Sequence, residues 1–108
     1  MSPPSQKVVE LVLFRLADGV SREQFLATVD AVSAWVAEQS GFITRELAHD
    51  AAGDRWIDLI WWRTRGDAEA AAELAMTSES CAPMFALIDM PSVQIAHGDS
   101  AIPPAVAR

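Results

Sequence analysis

The sequence predicts an α+β domain of the ferredoxin-like type: a βαββαβ chain folded as one antiparallel sheet with both helices on one face. Three observations predict it. Segments of two hydrophobic periods alternate in the order strand, helix, strand, strand, helix, strand. The two middle strands are separated only by Asp50-Ala51-Ala52-Gly53-Asp54, a hairpin turn by its Asp and Gly content. The chain has 108 residues, 51% apolar and 21% charged, which suits one domain with its own core. Right-handed crossovers then leave strand order 4-1-3-2 as the compact solution, with the first and third strands central.

The elements follow in order. Val8 to Leu16 is rich in β-branched and aromatic residues and reads as a buried strand, broken by Ala17-Asp18-Gly19. Ser21-Arg22-Glu23-Gln24 is a capping box, the Ser21 side chain accepting from the Gln24 N–H and Gln24 returning the bond. Phe25, Val29, Val32, Trp35 and Val36 then recur at helical spacing to about Gln39. Gly41 suits the left-handed position after that helix. Phe42 to Ala48 and Arg55 to Thr64 are the middle strands. Gly66-Asp67 opens a second helix, Ala68 to about Met76, with an alanine face. Met84 to Ile88 reads as a helical turn, and Pro91 precedes a last strand from about Ser92 to His97. Residues 1–7 and 100–108 are expected to be flexible ends around a domain at 8–99.

Eight basic against fifteen acidic residues give a formal charge of −7, and Lys7 is the only lysine. Nucleic acid and anionic membranes both reward clustered Lys and Arg, so neither is expected as a partner. No apolar run approaches the ~20 residues of a membrane span. The start, Met1 to Lys7, lacks the pattern of a signal peptide, and the single Cys81 has no partner for an internal disulfide. A reduced, cytoplasmic protein is the expectation, with no metal framework.

A sheet with helices on one face should alternate apolar inward and polar outward. The central strands do not. Val8, Glu10, Val12, Phe14 and Leu16 oppose Val9, Leu11, Leu13 and Arg15; Trp56, Asp58, Ile60 and Trp62 oppose Ile57, Leu59, Trp61 and Arg63. Both faces are apolar, and helices cover only one. A second copy of the chain, pairing sheet to sheet as a homodimer, is the expected cover for the other. The alternative is the C-terminal segment folding back, and residues 98–108 are short for that.

On these residues the chain resembles the dimeric α/β-barrel superfamily, particularly its antibiotic-biosynthesis-monooxygenase-like branch, over about residues 8–98. The resemblance rests on the strand-turn-helix opening Phe14-Arg15-Leu16-Ala17-Asp18-Gly19-Val20-Ser21, on Gly41-Phe42, and on Trp61-Trp62 ending the third strand before a helix with Ala68 at its start. It implies a small-molecule site in a cleft between helices and sheet. The activities it implies are those of cofactor-free monooxygenases, haem-degrading oxygenases or polyketide cyclases; a non-catalytic ligand-binding or stress-response accessory protein is the alternative expectation from the residues. Haem-degrading relatives place an asparagine at the Val12 position and a ligating histidine near Ala71 and Ala72, so haem degradation is not expected and no cofactor is. Quinone-forming relatives use asparagine and tyrosines around the tryptophan, and this chain contains no Tyr and no Asn.

The candidate catalytic residues are Glu10, Asp58 and His97. Each carboxyl interrupts an apolar central strand on the face of Trp62, where neighbouring carboxyls suit general acid–base work. The alternative is that each pairs with an arginine: Arg15, Arg45, Arg55 or Arg63. His97, on the strand next to the first, can approach Glu10; His49 beside Asp50 is the weaker histidine. The candidate ligand-binding residues are Trp62, Trp35, Val12, Phe14 and Ala72. The Trp62 ring suits a flat organic molecule and Trp35 an opposite wall; plain core packing is the alternative for both. The alanines of the second helix either allow close packing or leave an apolar cavity. The expected ligand is small and apolar, of aromatic type.

Overall fold

The computed structural model describes residues 7–107. Residues 1–6 and 108, assigned above to the flexible ends, lie outside the described residues. Strands β1 (Val8–Phe14), β2 (Phe42–Asp50), β3 (Arg55–Trp62) and β4 (Gln94–Asp99) form one antiparallel sheet in the order β2-β3-β1-β4. Helices α1 (Arg22–Leu26) and α2 (Val29–Ala37) join β1 to β2. Helices α3 (Arg65–Ala75) and α4 (Ala82–Phe85), with a 3-10 turn at Met90–Ser92, join β3 to β4. The fold is the βαββαβ ferredoxin-like one, with the strand order read from sequence.

The capping box is formed in full: the Gln24 N–H donates to Ser21 Oγ at 3.1 Å, and Gln24 Oε1 accepts from the Ser21 N–H at 2.8 Å. The single helix expected to Gln39 is two. The Phe25 carbonyl accepts both the N–H and the hydroxyl of Thr28, at 2.9 and 2.6 Å, and this three-residue spacing interrupts the helix before α2. Gly41 has φ of +80°, and a Cβ there would fall on the Asp67 side chain, so both the backbone angle and the space require glycine. Thr64 caps α3 by accepting from the Asp67 N–H at 3.0 Å.

The last strand begins two residues later than its sequence suggests. Ser92 Oγ accepts the Arg15 N–H at 2.8 Å and donates to the Asp89 carbonyl at 2.6 Å, which holds residues 90–92 in the 3-10 turn. His97 therefore lies inside β4. Lys7 belongs to the same ladder, its carbonyl accepting from the Ser100 N–H at 2.8 Å.

Register sorts the side chains by parity. Val8, Glu10 and Phe14 of β1, with Trp56, Asp58, Ile60 and Trp62 of β3, are buried beneath the helices. Phe25 of α1 is wholly buried between Phe14 and Trp56, its ring centroid 5.7 and 4.7 Å from theirs. Val9, Leu11, Leu13, Ile57, Leu59 and Trp61 form the opposite face and are only partly buried. Residues 101–107 are all exposed, so the C-terminal segment buries none of its apolar side chains on that face.

Candidate functional site

The inward face of the sheet carries two buried carboxyls, and the fold gives them different partners. Asp58 faces Arg45, which reaches it from the neighbouring strand β2. Arg45 Nε and Nη2 donate to the two carboxyl oxygens at 3.0 and 2.7 Å, a fork-to-fork geometry. The same guanidinium donates through Nη1 to Ser33 Oγ of α2 at 3.0 Å and approaches Met84 Sδ of α4 at 3.9 Å. It ties two helices to the sheet.

Glu10 has no arginine. Trp62 Nε1–H donates to its Oε1 at 3.2 Å, and His97 Nε2 lies 3.3 Å from its Oε2. The register explains both contacts, because Glu10 stands directly opposite His97 of β4, and Trp62 is two residues beyond its β3 partner Ile60. Glu10 is 7% exposed, and the His97 side chain is 21% exposed at the sheet edge. The imidazole thus links a buried carboxyl to solvent.

Both carboxyls line a cavity of about 170 Å³ between sheet and helices. Val12, Phe14 and Ile60 form its floor, Trp35 and Val36 of α2 one wall, and Ala71, Ala72 and Ala75 of α3 another. Met76, Met90 and Ile95 also line it and are exposed at 68%, 52% and 57%, which places its mouth between the end of α3 and the outer strand β4. The two readings of the alanine helix are both realised. Ala68 is wholly buried in close packing, while Ala71, Ala72 and Ala75 leave open space above the sheet.

The structure thus gathers Trp62, Trp35, Val12, Phe14 and Ala72 around one cavity with Glu10 and Asp58. Asp58 is neutralised by Arg45, so it does not share the arrangement of Glu10 and His97. Trp62 is 1% exposed, with Phe42 edge-on to its ring at 6.0 Å and its N–H committed to Glu10, so little of its surface is free for stacking. His49 lies against the Trp56 ring at 4.5 Å, away from the cavity. Arg45 has the largest influence of the residues not singled out as site candidates. Its signal was an arginine at an inward position of β2, two residues from Leu47 on the same face. Cys81, buried in the cavity wall, and the methionines of the mouth gave no such signal. Among the described residues, no group of three or more His, Cys, Asp or Glu is placed to hold a metal ion, and no helix is long and apolar enough to cross a membrane.

No protein-family model matches the sequence, and no curated protein matches it. Solved structures do. SnoaB, a cofactor-independent oxygenase from Streptomyces nogalater, superposes with a TM-score of 0.65 at 15% identity, over 96% of this chain and 100% of its own. An antibiotic-biosynthesis-monooxygenase-like protein from Bordetella bronchiseptica gives 0.69 at 14% identity, over 91% and 100%. A dimeric ferredoxin-like protein of unknown function from Thermobifida fusca gives 0.71 at 13% identity, over 89% and 92%. The chain has their fold. At these identities the likeness is one of architecture, and function has to be argued from the site.

Proposed function

We propose that the protein is a homodimer that binds a small apolar, aromatic molecule in the helix–sheet cavity and takes a proton from it with the Glu10–His97 pair, as a cofactor-free, monooxygenase-like enzyme. The observation that carries this reading is a carboxyl set in the wall of an apolar cavity with an imidazole behind it. An apolar cavity open to solvent gains free energy by taking up an apolar ligand. Glu10 can accept a proton from an O–H or acidic C–H of that ligand, and His97 can pass it to solvent, since it touches Oε2 and reaches the surface. Proton removal leaves an electron-rich ring anion, which can react with dioxygen. The name of SnoaB as a cofactor-independent oxygenase supports that direction.

The dimer rests on the uncovered face. Val9, Leu11, Leu13, Ile57, Leu59 and Trp61 form a contiguous apolar surface with no helix above it, and the exposed C-terminal segment leaves it open. A second copy meeting it about a two-fold axis would bury the same residues from both sides. The dimeric state of the Thermobifida fusca protein supports the pairing.

Binding is tested by titrating aromatic compounds while following tryptophan fluorescence. Wild type is expected to respond saturably, and Ala72→Phe, which fills the cavity, to lose at least tenfold in affinity. Unchanged affinity in Ala72→Phe would place the ligand elsewhere. Saturable binding without turnover in the presence of dioxygen would leave a binding protein and remove the enzyme. Sedimentation velocity at micromolar concentration is expected to give a dimer, and Leu59→Arg a folded monomer. A monomeric wild type would overturn the pairing.

A further inference from the structure

We infer that the cavity selects a neutral, single-ring phenol, its ring in the apolar chamber and its hydroxyl donating to Glu10. This inference rests on the binding reading above and narrows its ligand by three observations.

The first is size. An apolar protein cavity of roughly 150 Å³ accommodates one benzene ring. The volume here is about 170 Å³, so the chamber takes one ring, and a fused three-ring system has to extend out through the mouth. Its floor cannot drop, because Val12, Phe14 and Ile60 stand on the two central strands, each hydrogen-bonded on both sides.

The second is charge. The cavity wall holds two carboxyls and one guanidinium. That guanidinium is paired with Asp58 through two bonds and donates further to Ser33 and toward Met84, so its charge is already met. A ligand carboxylate would therefore enter an apolar chamber beside Glu10 with no unpaired cation to meet it, at a large desolvation cost. An uncharged ligand avoids that cost.

The third is hydrogen-bond polarity. Glu10 lines the chamber, and the present partners of its carboxyl, the Trp62 N–H and the His97 ring, leave lone pairs on both oxygens. A ligand that donates is rewarded there, and one that only accepts is not. A phenol supplies an apolar ring and one donor.

The test uses the full chain and four probes: 4-methylphenol, toluene, 4-methylbenzoate and 2-hydroxyanthracene, titrated by tryptophan fluorescence and ligand-observed NMR. The phenol is expected to bind roughly tenfold or more tightly than toluene, about the worth of one hydrogen bond in a dry site. The benzoate is expected not to saturate, and the three-ring phenol to bind more weakly than 4-methylphenol. Glu10→Gln should narrow the phenol's advantage over toluene severalfold, because the charge-assisted part of the bond is removed while the amide oxygen can still accept. Should that variant fold poorly, the four-probe series on wild type decides by itself. Equal affinity for the phenol and toluene, or tighter binding of the benzoate or of 2-hydroxyanthracene, overturns the inference and leaves the binding reading standing. No binding by any probe overturns both.

Discussion

Asp58 and Glu10 stand on neighbouring strands, on one face, at nearly equal burial, yet their surroundings differ in kind. Asp58 is clamped by a guanidinium through two bonds, and that guanidinium reaches on to α2 and α4. Glu10 meets one indole N–H and one imidazole. The first carboxyl is fully paired with an arginine; the second has no arginine and keeps lone pairs on both oxygens. Depth alone does not assign a role to a buried carboxyl. The partner does.

The sharpest way to break this comparison is to remove the paired carboxyl. Asp58→Ala leaves Arg45 buried and unpaired, which should cost about 3–5 kcal/mol in urea denaturation. Replacing both partners with apolar residues, Arg45→Met with Asp58→Leu, should recover more than half of that loss, since the uncompensated charge goes with the pair. A cost for Asp58→Ala no larger than for Glu10→Gln would erase the distinction. Glu10→Gln keeps the shape and an acceptor for the Trp62 N–H, so its stability loss should be about 1 kcal/mol or less. If the chain acts as the proposed enzyme, the variant should nevertheless abolish its turnover, and wild-type activity would exclude Glu10 as the proton acceptor.

A third carboxyl shows the same chemistry at the surface. Asp50 accepts the Gly53 N–H at 3.2 Å and pairs with Arg55 at 3.3 Å in the β2–β3 hairpin. The Gly53 N–H first, and Arg55 second, hold its carboxyl below the ordinary value. A carboxyl so lowered adds stability above its unfolded value, near pH 4, and that contribution is lost as pH falls through the folded value. Asp50→Asn should therefore speed amide exchange at Gly53 at neutral pH, with the difference from wild type vanishing in acid. This is the smallest of the effects, because solvent screens an exposed pair. A change in the global denaturation midpoint as large as that of Asp58→Ala would contradict the role given to depth.

The elements whose local chemistry is self-contained were legible in advance. Ser21 and Gln24 cap each other within one turn, Gly41 takes its left-handed turn by its own backbone preference although α2 already ends at Ala37, and alternation along Val8–Phe14 and Arg55–Trp62 sorted the two faces. The same parity put Glu10 and Asp58 on the inward side. What was misjudged involved bonds between segments distant in sequence, or competition within a turn. Thr28 splits the first helix by taking the Phe25 carbonyl, and Ser92 delays β4 because it is bound to Arg15, 77 residues away.

By itself the sequence determined the order of elements, the antiparallel sheet and the presence of two acids in an apolar strand pair, because periodicity and turn chemistry act over a few residues. Only the tertiary structure decided which acid met the arginine. That choice depends on cross-strand register and on where helices α2 and α4 settle, and neither is written within one strand. It placed Arg45 against Asp58 and His97 against Glu10, and left an apolar cavity beside them where the alanines of α3 fall short of the sheet.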